Sequence, residues 1–219
     1  MFNSYIFSLA LLLIRNPPDD MPSEAPFQIS VPDDALALLR RKLSDARFPD
    51  EIDDAGWDYG VPLSDLKRLV DKWKDSYDWR VHERELNKLP MFTRDLEVEG
   101  FGVLNIHYVH QRSEVQGAIP LLFVHGCASS PSSLFACVAD QYSCLGPGSF
   151  IEVTKILPLL TAGGPGYPSF HVVAPSIPGY AWSEGVSNKG FRSRNYAEVG
   201  AQHDLNLWRF LVLINVQSF

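Results

Sequence analysis

The chain has 219 residues, 46% hydrophobic and 21% charged, enough to bury a sizeable core as one large domain or one domain with an arm. Its formal net charge of -7 argues against nucleic acid as a partner, because phosphate binding needs clustered Lys and Arg, and the charges are interspersed as on a solvated surface. The cysteines are Cys127, Cys137 and Cys144; their spacing fits neither a zinc site nor a disulfide framework, so no metal or other cofactor and a reducing, cytoplasmic setting are expected.

The chain opens on an apolar run, Tyr5 to Ile14. It is about half the roughly 20 residues that a spanning helix needs. No Lys or Arg precedes it, and Arg15-Asn16-Pro17-Pro18 follows, so the favoured readings are a docked arm or an extraneous leader; a signal or membrane contact through residues 5–14 is the lesser one. Asn16 to Pro26 reads as a linker. Phe27 to Val31 alternates as a short strand. Asp33 is placed to cap a helix carrying Leu36, Leu39 and Leu43, with Pro49 beyond its end. Asp50 to Gly60 is an acidic loop holding Trp57 and Tyr59. Ser64 is placed to cap a second helix, whose Leu66, Leu69, Val70 and Trp73 form one apolar face expected in the core. A third helix is predicted from Asp78 to Leu89.

The period then switches to two. Phe92, Arg94, Leu96 and Val98, a turn at Gly100 to Gly102, and Leu104, Ile106 and Tyr108 predict a hairpin. Ile119 to Val124 reads as a strand buried on both faces of a parallel sheet. Ser149 and Glu152 form a capping box for a helix that Pro158 should kink or end. Phe170 to Ala174 is a second buried strand, completing a βαβ unit. His107 and His110, three apart on a strand, point to opposite faces and cannot make one site by simple alternation.

At His125-Gly126 and at Ser176-Ile177-Pro178-Gly179-Tyr180 the chain resembles an α/β-hydrolase. Further motifs narrow this: Arg47-Phe48-Pro49-Asp50-Glu51, Trp57-Asp58-Tyr59-Gly60, Tyr77-Asp78-Trp79-Arg80, Glu85-Leu86-Asn87 and Ile106-His107-Tyr108-Val109-His110. In this order they resemble the N-terminal region of epoxide hydrolases of the microsomal and fungal type. The resemblance implies an α/β fold, a helical N-terminal arm followed by an incomplete α/β-hydrolase sheet. It implies a small-molecule epoxide as substrate and a two-step reaction. An aspartate on a strand-to-helix elbow forms an ester, lid tyrosines hold the opening oxygen, and a histidine paired with an acid activates water. Backbone N–H groups stabilise the oxyanion, one of them from the residue after His-Gly. The oxyanion loop carried over is His125, Gly126, Cys127, Pro147 and Gly148, with His125 orienting the loop rather than acting as base.

The sequence departs from the family in two places. Where the family runs His-Gly-Trp-Pro-Gly-Ser-Phe, residues Cys127 to Gly146 stand in place of Trp. A Trp codon split as T and GG by an intron would read through as Cys at one end and Gly at the other, as found. A retained intron is therefore favoured; the rival is a genuine surface loop, which chain entropy tolerates. After Tyr196-Ala197-Glu198-Val199 the resemblance fades, and no Gly-flanked Asp or G-x-S-x-G elbow follows. Asp140, Asp204, Ser187 and His203 lack elbow context and are read as non-catalytic. The tail, Leu205 to Val216, reads as a frame-shifted end or a strand edge.

The expected organisation is a leader and linker at 1–24, an epoxide hydrolase N-terminal region at 25–115, a partial core at 116–199 with an insertion at 127–146, and a divergent tail at 200–219. Two functions compete. One is an epoxide hydrolase family member whose present residues lack the nucleophile and are inactive alone. The other is a non-catalytic fragment that associates with itself or with a full-length relative through an exposed sheet edge.

Overall fold

The computed structural model describes residues 8–10, 24–125, 148–205 and 212–215, with residues 8–10, 203–205 and 212–215 described by backbone alone. Two compact units are present, Gln28–Leu89 and the combination of Met1–Phe27 with Pro90–Phe219.

The first unit holds three helices: α1 (Asp33–Ser44), α2 (Leu63–Asp75) and α3 (Trp79–Leu86). The expected caps of the first two are corrected. Pro32 and Pro62 stand at the N-cap positions without a side-chain cap bond. Their fixed φ suits a helix entry. Asp33 falls inside the first turn, where its charge opposes the helix dipole and pairs with Arg80. The Leu63 N–H at the start of α2 donates to Glu51 Oε1 at 2.6 Å, so a loop carboxylate does the work expected of Ser64. Asp78 does cap α3, accepting from Arg80 N–H at 2.9 Å.

The segment ahead of α1 is held by α3. Glu83, buried, accepts the Val31 N–H at 2.7 Å, the Trp79 indole N–H at 3.2 Å and Arg80 Nη1 at 2.6 Å. Asn87 accepts the Ile29 N–H at 2.8 Å and donates to the Ile29 carbonyl at 2.9 Å. Hence the strand expected at Phe27 to Val31 does not form. Ile29 and Val31 give their N–H groups to side chains instead of a ladder. The apolar stripe of α2 is also only partly as expected. Leu66 and Val70 are half-buried, while Leu69 and Trp73 stay 49% and 47% exposed. Three short helices offer too little surface to cover a whole stripe.

The second unit is built on a sheet of β1 (Ser8–Ala10), β2 (Ala25–Pro26), β3 (Met91–Val98), β4 (Gly102–Gln111), β5 (Ile119–Val124), β6 (Phe170–Pro175) and β7 (Val212–Asn215). Their order across the sheet is β1-β7-β5-β6-β4-β3-β2. β3 and β4 form the expected hairpin, in register from Met91↔Val109 to Val98↔Gly102. Gly100 and Gly102 take φ of 80° and 78° at its turn, a conformation that costs other residues energy. Leu96, Val98, Leu104 and Ile106 face one side and pack with Val199 of α5 (Ser193–Leu205). β5 lies parallel to both β6 and β7, as its continuous apolar run demands. Of the tail, residues 201–205 complete α5 and Val212–Asn215 form β7, which also pairs antiparallel with β1. Part of the run Tyr5 to Ile14 is therefore docked on the sheet.

Between β5 and β6 the predicted single helix is two pieces. The Ser149 capping box is present and opens a 3₁₀ turn at Phe150–Val153. The helix α4 (Leu157–Ala162) then begins anew with Pro158 in its first turn. Proline was expected to end a helix here; it starts one, because a first-turn residue needs no N–H partner. The segment 127–146 lies outside the described residues.

Candidate functional site

The connections of this sheet locate the site. From β5 the chain passes through α4 to β6, toward β4; from β6 it passes through α5 back across β5 to β7. Right-handed crossovers running in opposite directions cover opposite faces. The exits of β5 and β6 thus leave the sheet on different sides, and the crevice between them is where open α/β sheets bind ligands.

His125 stands at the exit of β5 and is 2% exposed. Its Nε2 accepts the N–H of Ile177, just past the exit of β6, at 3.3 Å. That bond spans the crevice. It also fixes the tautomer with the proton on Nδ1, and its ring lies 5.5 Å from that of Tyr180. The Ser176 to Tyr180 segment is a tight, polar-stitched turn. Tyr180 N–H donates to Ile177 at 2.9 Å, Gly179 N–H to Glu184 at 3.1 Å, and Glu184 N–H to Asn105 of β4 at 2.8 Å. Gly179 has φ 85° and Ala181, unusually for a residue with a Cβ, φ 46°.

Beneath this turn lies a buried knot whose members are not marked as a unit in the sequence. His107 is fully buried on β4. Its Nδ1 lies 2.9 Å from Ser176 Oγ, its backbone N–H donates to Ser183 Oγ at 2.9 Å, and Ser183 Oγ donates to the Ser176 carbonyl at 2.6 Å. The rings of Phe27, Phe150 and Trp182 surround it at 5.0, 5.0 and 5.5 Å. Burial lowers its pKa to about 4, so the imidazole is neutral at pH 7. Its Nε2 has no hydrogen-bond partner among the described residues. His107 therefore packs against Phe150, which follows the segment 126–147, and through Ser176 and Ile177 reaches His125, which precedes it.

Of the loop residues carried over by resemblance, His125 and Gly148 are described; Gly126, Cys127 and Pro147 lie outside the described residues. Gly148 is half-buried and leads into the Ser149 cap, where Ser149 N–H donates to Glu152 Oε1 at 3.2 Å. His110 faces away from His107, with Nδ1 3.1 Å from Glu24 Oε2, so the two histidines belong to different clusters. Ser187 is exposed, Asp140 lies outside the described residues, and the side chains of His203 and Asp204 are not described. Among the described residues no group of three or more His, Cys, Asp or Glu could hold a metal ion. No described helix is long and apolar enough to cross a membrane.

A family profile described as "Epoxide hydrolase N terminus" matches residues 24–134. The chain belongs to the epoxide hydrolase family. A putative epoxide hydrolase of Stigmatella aurantiaca is 36% identical over 181 residues, spanning 81% of this chain and 36% of the relative. Juvenile hormone epoxide hydrolase 2 of Ctenocephalides felis is 34% identical, spanning 81% and 34%. Among solved structures, an enantioselective mutant of the Aspergillus niger epoxide hydrolase superposes with a TM-score of 0.65 at 30% identity, covering 87% of this chain and 46% of that one. The juvenile hormone epoxide hydrolase of Bombyx mori gives 0.65 at 25% identity, covering 86% and 42%. The chain thus spans about a third of the length of these curated relatives and under half of the solved epoxide hydrolases. These epoxide hydrolase structures support the α/β reading directly.

Proposed function

We propose that the protein belongs to an epoxide-to-diol hydrolysis, and that these residues supply its N-terminal helical unit and its oxyanion loop but not its nucleophile. The observation that carries this is the His125–Ile177 bond across the β5–β6 crevice. It holds the backbone just before Gly126 and Cys127 at the carboxyl ends of parallel strands, where a ligand binds in such sheets. In this reading the oxyanion donor is the backbone N–H at the position after Gly126, where the family has Trp and this chain has Cys127, and residues 127–146 part that position from Pro147 and Gly148 of the same loop. His125 is an anchor, since its Nε2 is committed to Ile177 and is not free to take a proton from water. The substrate is a small-molecule epoxide, opened by a carboxylate to an ester that water then hydrolyses. Neither Asp140 nor Asp204 has the glycine-flanked context of that carboxylate.

The test is a chimera. Residues 1–215 are joined to the part of the Aspergillus niger enzyme that follows its matching strand, with one Trp replacing Cys127 to Gly146. It should hydrolyse a styrene-oxide substrate. The same chimera retaining residues 127–146 should be slower by about 100-fold or more, the usual effect of losing one oxyanion donor. The unaltered 219-residue chain should show no turnover. Turnover by that chain, abolished in Asp140→Asn or Asp204→Asn, would overturn the proposal.

A further inference from the structure

A second polar cluster lies where the segment before β2 meets the hairpin. Arg94 of β3 is 7% exposed, and its Nε is buried with no hydrogen-bond partner among the described residues. Among the described residues its nearest anionic atom is Glu24 Oε2, 3.9 Å from Nη2. A buried guanidinium nitrogen without a partner is costly, and an anion beside the group offsets part of that cost. The other donors converge on the same place. Tyr108 OH donates to Glu24 Oε2 at 3.0 Å, and His110 Nδ1 stands 3.1 Å from that oxygen. The Arg94 guanidinium lies 5.9 Å from the Tyr108 ring, and Phe92 walls the cluster with its ring 6.0 Å from Tyr108 and 6.1 Å from His110.

Two details define the ligand. Each of these contacts falls on Oε2, and none of them reaches Oε1. Glu24 therefore uses one oxygen where a guanidinium can bind two. Burial also keeps His110 neutral, below the usual imidazole range. A neutral ring that faces a carboxylate through Nδ1 carries its proton there and leaves Nε2 as a bare acceptor, which accounts for that buried atom having no donor.

We propose that Arg94, Tyr108 and His110 form a carboxylate-binding site that Glu24 fills in cis through a single oxygen, and that the vacated site takes a small monocarboxylate. Glu24 then serves as the plug that fixes the start of β2 to the hairpin. This is separate from the β5–β6 crevice and does not depend on epoxide chemistry.

The experiment is chemical rescue in the full chain. Glu24→Ala is unfolded thermally at pH 7 in sodium acetate and in sodium chloride of equal ionic strength. Acetate should raise its Tm in a saturable way by about 2–4 °C, the shift expected for a modest binding free energy in a chain of this size. The rise should be absent in the unsubstituted chain and in Glu24→Ala/Arg94→Met. No rise in acetate, or an equal rise in chloride, in the unsubstituted chain or in the double variant, overturns the proposal. Should Glu24→Ala not fold, ¹⁵N NMR of the histidine rings in the unsubstituted chain decides, with His110→Gln giving the assignment. The site requires a proton on His110 Nδ1 and none on Nε2; the reverse tautomer overturns it.

Discussion

At the scale of single residues, the strongest prediction concerns acid. His107 is fully buried, and its pKa falls from the ordinary 6.5 to about 4 because burial disfavours the charged ring. The unfolded chain therefore binds more protons than the folded one between these two values. Stability from this group is fully present above pH 6.5 and is lost as pH falls toward 4, by up to about 1.4 kcal/mol per pH unit for one proton. Urea unfolding at pH 7, 5.5 and 4.5 should show the loss, and His107→Gln should flatten the part of the slope that His107 contributes. An unchanged slope in that variant would remove the assignment. The sequence puts His107 on a strand, opposite to His110 in direction, and the structure agrees. The knot is not legible there, because Ser176 and Ser183 lie 69 and 76 positions away and only the β4–β6 pairing brings them together.

At the scale of elements, what could be read in advance was set by local chemistry. The hairpin, the two parallel strands and the Ser149 capping box each announce themselves within a few residues, and each is where it was expected. The misplacements came from long-range partners. Glu51 serves α2 across 12 positions, and Asn87 and Glu83 take the N–H groups of Ile29 and Val31 across 58 and 52. Such a side chain can outbid a strand ladder when it satisfies donor and acceptor together. Asn87 does so for Ile29, a residue only 2% exposed. Truncating Asn87 leaves a buried N–H and a carbonyl without partners, at a cost of about 1–3 kcal/mol. Asn87→Ala should lower the urea midpoint accordingly, whereas Asn87→Asp, which keeps the acceptor, should lose less. Equal losses in the two variants would mean that the accepting oxygen contributes nothing.

At the scale of the whole molecule, the decisive element is β7. The tail from Leu205 to Val216 carries no turn signal and shows little of the family's motif, so sequence alone left it between a read-through end and a strand edge. In the structure Val212–Asn215 runs parallel to β5, in register from Leu121↔Val212 to Val124↔Asn215, and has β1 on its other side. β5 is consequently a strand with neighbours on both sides, as its uninterrupted apolar run requires. Without β7, the row of N–H and C=O groups along Leu121 to Val124 would face solvent beside buried Leu121, Leu122 and Phe123. An open edge of that composition templates pairing with other chains. Leu213→Pro tests this, since proline removes a ladder N–H at the middle of β7. The variant should show a larger aggregated fraction in size-exclusion chromatography than the unsubstituted chain, and lose amide-exchange protection along β5. Conserved protection at Leu122 and Phe123 would mean that β5 does not rely on β7. The same strand matters to the proposed function, because β7 is the neighbour that places the exit of β5, and with it His125, inside the sheet instead of at its rim.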